Sequence, residues 1–490
     1  MRDLIIFLIV VGSVPMILRQ AWIGIIMWSW LGYMNPHRLT WGFAYSFPFA
    51  QLVAAVTLLA FLFDKTPKRL PNTFLTWIWL ALIFWFNVTT LTAIYPEYAQ
   101  WEWDRTMKIQ LFAVLTVILI NTPAKVMTLV WTIVLSLGFF GVKGGIFSLL
   151  TGGEYLVFGP ADSFFADNNA LALVLIMTFP LMFYLQTQVN GRLAKLAFFG
   201  AMALTALSIL GSHSRGALLA GMAMAGTLWL KGPYKVRTGI ALLLAIPPLL
   251  MFMPDAWWER MQTIREFQSD GSAMGRINAW WFALNLALDR PLVGGGFQVF
   301  SRELFLTYAP NPTDFHDAHS IYFEILAEQG FVGLGLFLLL GLVVIRTAGR
   351  IERQARALDS LRWASGLASM LQVSIVGYAV GGAFLGLAYF DLYYNLIALV
   401  LVLDTLVRSE LREGHMAVPA AGARAQRVPR PAAAPTGGRT PLPEPATRLG
   451  AGGRNGRPAS PDARSKSPAS TPAPRPASGA LDVHQTGLST

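Results

Sequence analysis

Cysteine is absent from all 490 residues, which excludes disulfides, thiolate metal sites and cysteine nucleophiles at once. Charge is nearly as scarce. Only 13% of residues are Asp, Glu, Lys or Arg, against 54% hydrophobic, and the mean hydropathy is +0.50. A soluble chain with so few charges could not cover its surface, and neither an internal repeat nor a soluble domain is visible. The charge that remains is unbalanced, giving a formal net charge of +11. That excess could suit a nucleic-acid binder. The basic residues, however, sit in short segments between apolar runs and in the C-terminal stretch, as the positive-inside rule produces, so nucleic acid is not expected as a partner.

Apolar runs cover residues 4–18, 21–34, 46–63, 73–94, 108–121, 126–141, 169–187, 194–211, 215–230, 236–253, 331–345, 365–385 and 390–407. A helix needs about 20 apolar residues to cross a bilayer, and a spanning backbone must satisfy its hydrogen bonds internally. The expected fold is an all-α polytopic membrane protein with about 12 transmembrane helices, between 11 and 13. The uncertainty lies in the first two runs, separated only by Arg19 and Gln20, which are a tight hairpin or one interrupted element. The start, MRDLIIFLIVVGSVPMILRQ, lacks a small-residue cleavage site and is read as a retained segment.

Basic residues mark alternate loops. Lys65, Lys68 and Arg69, then Lys125, then Arg192 and Lys195, then Lys231, Lys235 and Arg237, then Arg346 through Arg356, and finally Arg408 and Arg412 define the cytoplasmic side. The loops around 95–107, 142–168, 212–216, 254–330 and 386–390 are then outward. Four regions follow: an N-terminal transmembrane region (1–211), a core with the large loop 254–330 (212–345), C-terminal transmembrane helices (346–412), and a Pro/Ala/Arg-rich tail (413–490). The tail has scarcely a large apolar residue, cannot offset its ordering entropy, and is expected to be disordered and cytoplasmic.

The large loop concentrates chemistry. In PDAWWERMQTIREF, Trp257, Trp258, Met261, Ile264 and Phe267 share a helical face that suits the membrane interface. Arg276 opens a second helical stretch through Ile277, Trp280, Trp281, Leu284 and Leu288. After Arg290-Pro291 come Gly294, Gly295 and Gly296, either a plain turn or a backbone able to approach a phosphate. In NPTDFHDAHSIYFEILAEQG, Asp317 or Ser320 could cap a helix from Ile321, with His319 at its start. His319 is a capping surface residue or a general base. His213 and Arg215 sit in the short turn GSHSRG, and an arginine at the hydrocarbon boundary needs a partner. Arg215 and Arg276 could clasp a phosphate bidentately.

Three other groups carry weaker signals. Asp314, His316, Asp317 and His319 could form a metal site, but the spacing alone is weak. Lys143, Tyr155 and Asp162 could wall the cleft or be solvated loop positions. Arg105 and Lys108 are interfacial anchors or part of a path for a lipid diphosphate.

SHSRGALLAG, GRINAWWFALNLALDRPLVGGGF and DAHSIYFEILAEQGFVGLGLF together resemble the core of the O-antigen ligase and polymerase superfamily. NPHRLTWGFAYSFPFAQ and GVKGGIFSLLTGGEYLVFGP are similar to the O-glycosylation ligases found with exosortase systems. The resemblance implies a glycosyltransferase on the outer face of a bacterial inner membrane, independent of metal and with no cofactor. It would transfer a glycan whole from undecaprenyl diphosphate to a hydroxyl on a protein, lipid or glycan acceptor. It assigns His319, Arg276 and Arg215 to catalysis, with His319 orienting or deprotonating the acceptor and Arg215 and Arg276 neutralising the leaving diphosphate. Gly294, Gly296, His213 and His316 would join Arg215 and Arg276 in binding substrate. Ser320 stands where asparagine is frequent in the family, leaving the partner of the base open. A repeat-unit polymerase and a lipid-linked glycan transporter are the alternatives. Spans largely free of charge, with the polar residues collected on one outer face, argue against a transporter, which places charged or broken helices at mid-membrane.

Overall fold

A computed structural model describes residues 1–65, 67–232, 235–262 and 271–417. The expected tail lies outside the described residues apart from its first positions, which continue the last helix. The described chain is helical throughout, without a strand. The helices are α1 (Arg2–Arg19), α2 (Trp22–Met34), α3 (Phe49–Phe63), α4 (Phe74–Leu91), α5 (Pro96–Leu119), α6 (Pro123–Leu150), α7 (Asn168–Gln188) and α8 (Arg192–Gly211). There follow α9 (Arg215–Lys231), α10 (Lys235–Met251), α11 (Asp255–Gln262), α12 (Gly271–Asp289), α13 (Arg302–Tyr308), α14 (Ile321–Ala355), α15 (Arg362–Gly381) and α16 (Asp391–Ala417). Each of the thirteen apolar runs falls on a helix.

Among the described residues seven segments are long and apolar enough to cross a membrane, built on α4, α6, α7, α8, α14, α15 and α16. The pair α10 and α11, bent by 109°, would be an eighth. α7 is buried over most of its surface, as a helix apolar nearly all round must be, exposes Phe183, and packs with α15 in the core. α1 instead exposes Leu4, Ile5, Leu8 and Ile9, a stripe suited to hydrocarbon. Polar caps fix several helix starts. Thr73, Thr122, Asp167, Ser214 and Ser301 each accept a hydrogen bond from the first turn, an interaction worth about 1 kcal/mol apiece.

The loops divide into two sets. At one end, Val157 N–H donates to Gly211 O, Asn168 to Ser212 O, Ile94 N–H to Gly295 O and Ala388 N–H to Glu324. At the other end, Asp404 pairs with Arg350 and Arg408, and Glu352 pairs with Lys231 and Arg356. α14 carries Glu324 near one tip and Glu352 near the other, so it connects the two sets. The first two runs resolve as a hairpin, with α1 and α2 packed on each other across Gln20 and Ala21. Asp3 accepts from Ala44 N–H, and Arg38 and Tyr45 reach Asp162 in the α6–α7 loop. The start of α1 therefore lies at the end where the interlocked loops gather.

Three expectations change. The stretch 95–107 is helical, because Pro96 starts α5 and its polar first turns simply precede the apolar ones. α6 likewise runs through Lys143 to Leu150, since no proline interrupts the stretch and packing holds Gly144-Gly145 helical, Gly145 lying against the backbone of Leu204. Only Tyr155 and Asp162 of the suggested wall are loop residues. In α12 the buried face is Gly275, Asn278, Ala279, Phe282, Ala283 and Leu286, while Trp281 and Leu288 point outward. Small residues win that face because they let α12 approach α14 closely. The segment with Ile264 and Phe267 lies outside the described residues. Of its face, Trp257 and Met261 bury against Leu207 and Met253, with the Trp257 indole donating to Leu210 O at 3.0 Å.

Candidate active site

At the interlocked end a cavity of about 410 Å³ opens between α5, the α6–α7 loop, the segment before α14 and the α15–α16 loop. His319 lines it, together with Asp317, Asp167, Glu324, Glu328, Glu102, Arg105 and Gln298. Phe164, Phe300, Tyr389 and Phe390 add aromatic faces.

His319 stands one residue before the N-cap of α14, in left-handed backbone at φ 42°. α12 holds it there. Asn278 donates to the carbonyls of Asn311 and Asp314 at 2.8 and 2.9 Å and accepts from Asn311 N–H at 2.9 Å. Trp280 donates to Ala318 O at 2.8 Å and stacks on Phe323. The loop that presents the histidine is thus clamped to α12, the helix that carries Arg276. Burial pushes the His319 imidazole below its ordinary pKa, and the Arg276 guanidinium pushes the same way. Asp317 and Asp167 oppose them. Ser320 occupies the N-cap position, and its buried hydroxyl makes no cap bond. Among the described residues no hydrogen bond engages the His319 ring, which lines the cavity.

Arg276 and His316 come to the same corner. An added Cβ at Gly275 would lie 2.5 Å from the His316 ring, whose Nδ1 is 3.0 Å from an Asp314 carboxylate oxygen. Arg215 opens α9 behind the cap Ser214, in a turn docked on the start of α7 through Asn168. Asp167 caps that same α7 start. Neither Arg215 nor Arg276 lines the cavity, and of the two Arg276 acts on the charge of His319, which does. His213, also left-handed at φ 52°, spends its Nε2 on Gly153 O at 2.8 Å and is buried. It ties two loops together, away from the cavity lining.

Gly294 and Gly296 are not brought to the cavity. Their φ values are 62° and 84°, and the N–H groups of residues 294, 295 and 296 bond to Arg290, Ala327 and Glu328 carbonyls. The glycine run locks against Gly330, where α14 breaks at φ 69°. Its amides are therefore committed to the protein, which is the plain-turn alternative. Among the described residues no three His, Asp or Glu side chains gather as metal ligands, so Asp314, His316, Asp317 and His319 do not form that set. Lys108 pairs with Asp104, whereas Arg105 faces the cavity with its guanidinium 3.4 Å from the Phe164 ring centroid.

Sequence reasoning missed the cavity floor. Gln298 N–H donates to Glu328 at 2.8 Å, and the Tyr389 hydroxyl donates to the same carboxylate at 2.6 Å. Glu102 pairs with Arg105 at 3.5 Å. One signal was available. Glu324 and Glu328 stand four apart within an apolar helix start, on one face, and intramembrane acids point to function.

Comparison with known families adds one decisive observation. Residues 200–338 match the O-antigen ligase family. The match contains Arg215, Arg276, His319, Glu324 and Glu328, and it supports a ligase- or polymerase-like membrane enzyme. Residues 1–190 match a family of unknown function, DUF5935, so Glu102, Arg105, Phe164 and Asp167 come from outside the ligase match. No curated protein matches the chain.

Proposed function

We propose that the chain is a multi-pass inner-membrane glycosyltransferase, with about 12 crossings and its active site on the periplasmic face. It transfers a glycan whole from undecaprenyl diphosphate to an acceptor hydroxyl, and resembles the O-glycosylation ligases found with exosortase systems. The observation that carries this reading is the juxtaposition of His319, Arg276 and a carboxylate-lined cavity inside the stretch matching O-antigen ligases.

The geometry supports a division of labour. His319, kept neutral by burial and by Arg276, takes the proton of the acceptor hydroxyl as its oxygen attacks the anomeric carbon. The bond from that carbon to the diphosphate oxygen breaks, and Arg276 with Arg215 stabilises the charge that builds on the departing diphosphate. The carboxylates and aromatic rings that line the cavity with His319 suit the hydroxyls and C–H faces of an acceptor. The acceptor itself is a protein, lipid or glycan.

The test is transfer from purified undecaprenyl-diphosphate glycan in detergent with chelator present. Wild type is expected to release undecaprenyl diphosphate, and His319→Ala and Arg276→Ala to lose at least about 10²-fold in kcat while keeping the wild-type elution profile. Full turnover in both variants would remove the site assignment. Turnover only when a second lipid-linked glycan is the acceptor would turn the assignment to polymerisation.

A further inference from the structure

A second groove lies at the same end, outside the O-antigen ligase match and independent of the proposed reaction. It is lined by Arg2, Ile5, Ile6, Pro36, Arg38, Leu39, Trp41, Phe139 and Lys143, and encloses about 560 Å³. Three of those side chains are cationic and none is acidic. Arg38 is partly balanced by Asp162 at 3.6 Å. Arg2 and Lys143 form no ion pair with any described carboxylate. The Arg2 guanidinium rests 5.0 Å from the ring of Trp41, which is 88% exposed.

The position of Lys143 makes the groove unusual. It stands inside α6, one of the membrane-spanning candidates, seven residues before Leu150. At about 1.5 Å per residue that is about 10 Å below the helix end. Its neighbours Ile5 and Phe139 are exposed and apolar, as lipid-facing residues are. An ammonium at that depth is costly unless it snorkels or meets an anion. Arg2 and Arg38, at the end of the bundle where Trp41 marks an interface, complete a cationic rim above an apolar wall. A phosphate with acyl or prenyl chains attached satisfies both surfaces, whereas a free soluble anion would leave the apolar wall unused.

We infer that this groove binds the phosphate headgroup of an anionic membrane lipid, with Arg2, Arg38 and Lys143 as its ligands and the chains running along Ile5 and Phe139. The α6–α7 loop separates it from the catalytic cavity: Asp162 faces Arg38, while the next two residues, Ser163 and Phe164, line the cavity.

Native mass spectrometry of the detergent-purified full chain tests this, titrating phosphatidylglycerol, a polyprenyl phosphate, phosphatidylcholine and inorganic phosphate separately. Wild type should retain one phosphatidylglycerol or polyprenyl phosphate at least tenfold more tightly than the Arg2→Gln, Lys143→Gln double variant. The conservative Lys143→Arg variant should keep that affinity, which separates loss of charge from loss of fold. Preference for the polyprenyl phosphate would identify the headgroup's source as a carrier lipid, and equal retention would identify it as bulk anionic lipid. Undiminished binding by the double variant, or equal retention of phosphatidylcholine, would overturn the proposal. So would binding of inorganic phosphate alone with no preference for lipid.

Discussion

At the scale of single residues the site depends on how His319 is charged. Burial and Arg276 depress its pKa from the ordinary value of about 6.5, so the neutral form persists further into acid. The acid limb of a kcat/KM profile should therefore fall below that value. Asp317 raises the pKa by its charge, so Asp317→Asn should move the limb to still lower pH while leaving the plateau within about threefold. A limb that moved upward, or stayed still, would show that another group titrates. The sequence displayed His319, Arg276 and Arg215, because histidine and arginine at the ends of apolar runs are conspicuous. It did not display Asp167, Gln298 or Tyr389, which reach the cavity from three separate segments. Nor did it show that His213 is spent on Gly153, since only folding brings those two loops together.

Elements position these residues through close backbone contacts. α14 breaks at Gly330, whose φ of 69° disfavours any side chain. An added Cβ would also lie 2.3 Å from Leu292 O and 2.9 Å from Gly294 N. Gly330→Ala should therefore lower stability by more than the about 1–3 kcal/mol of backbone strain alone. Thermal unfolding in detergent should show a clear drop in Tm. An unchanged Tm would mean that the break tolerates a side chain. Glu328, two residues before the break, lines the cavity, so the variant should also lose turnover. The helices themselves were legible, since every apolar run became one. Their polar extensions were not, because hydropathy reports which residues prefer lipid and not where a helix stops. α5 illustrates this. Its apolar half was plain, but Glu102 and Arg105 on its polar turns read as loop, although helix geometry is what carries them to the cavity.

For the molecule as a whole, the absence of cysteine makes topology directly measurable. Single cysteines at Tyr155 and Thr313, on the side of the cavity, should react with an impermeant maleimide in intact spheroplasts. Cysteines at Arg192 and Asp359, exposed at the opposite end, should react only after permeabilisation. Labelling that split Tyr155→Cys from Thr313→Cys would break the proposed arrangement. Composition and hydropathy by themselves determined an all-helical membrane protein with its basic loops at alternate connections, because burying backbone in hydrocarbon permits little else. The motifs also determined which stretch carries the ligase likeness. Tertiary structure alone decided that α1 begins at the cavity end and that the glycine run serves packing. It also decided that the cavity wall joins residues 102–170 to residues 298–328 and 385–390. Local pattern records each residue's preference for lipid or water, whereas a cavity depends on which distant helices pack side by side, and that depends on contacts no single segment contains.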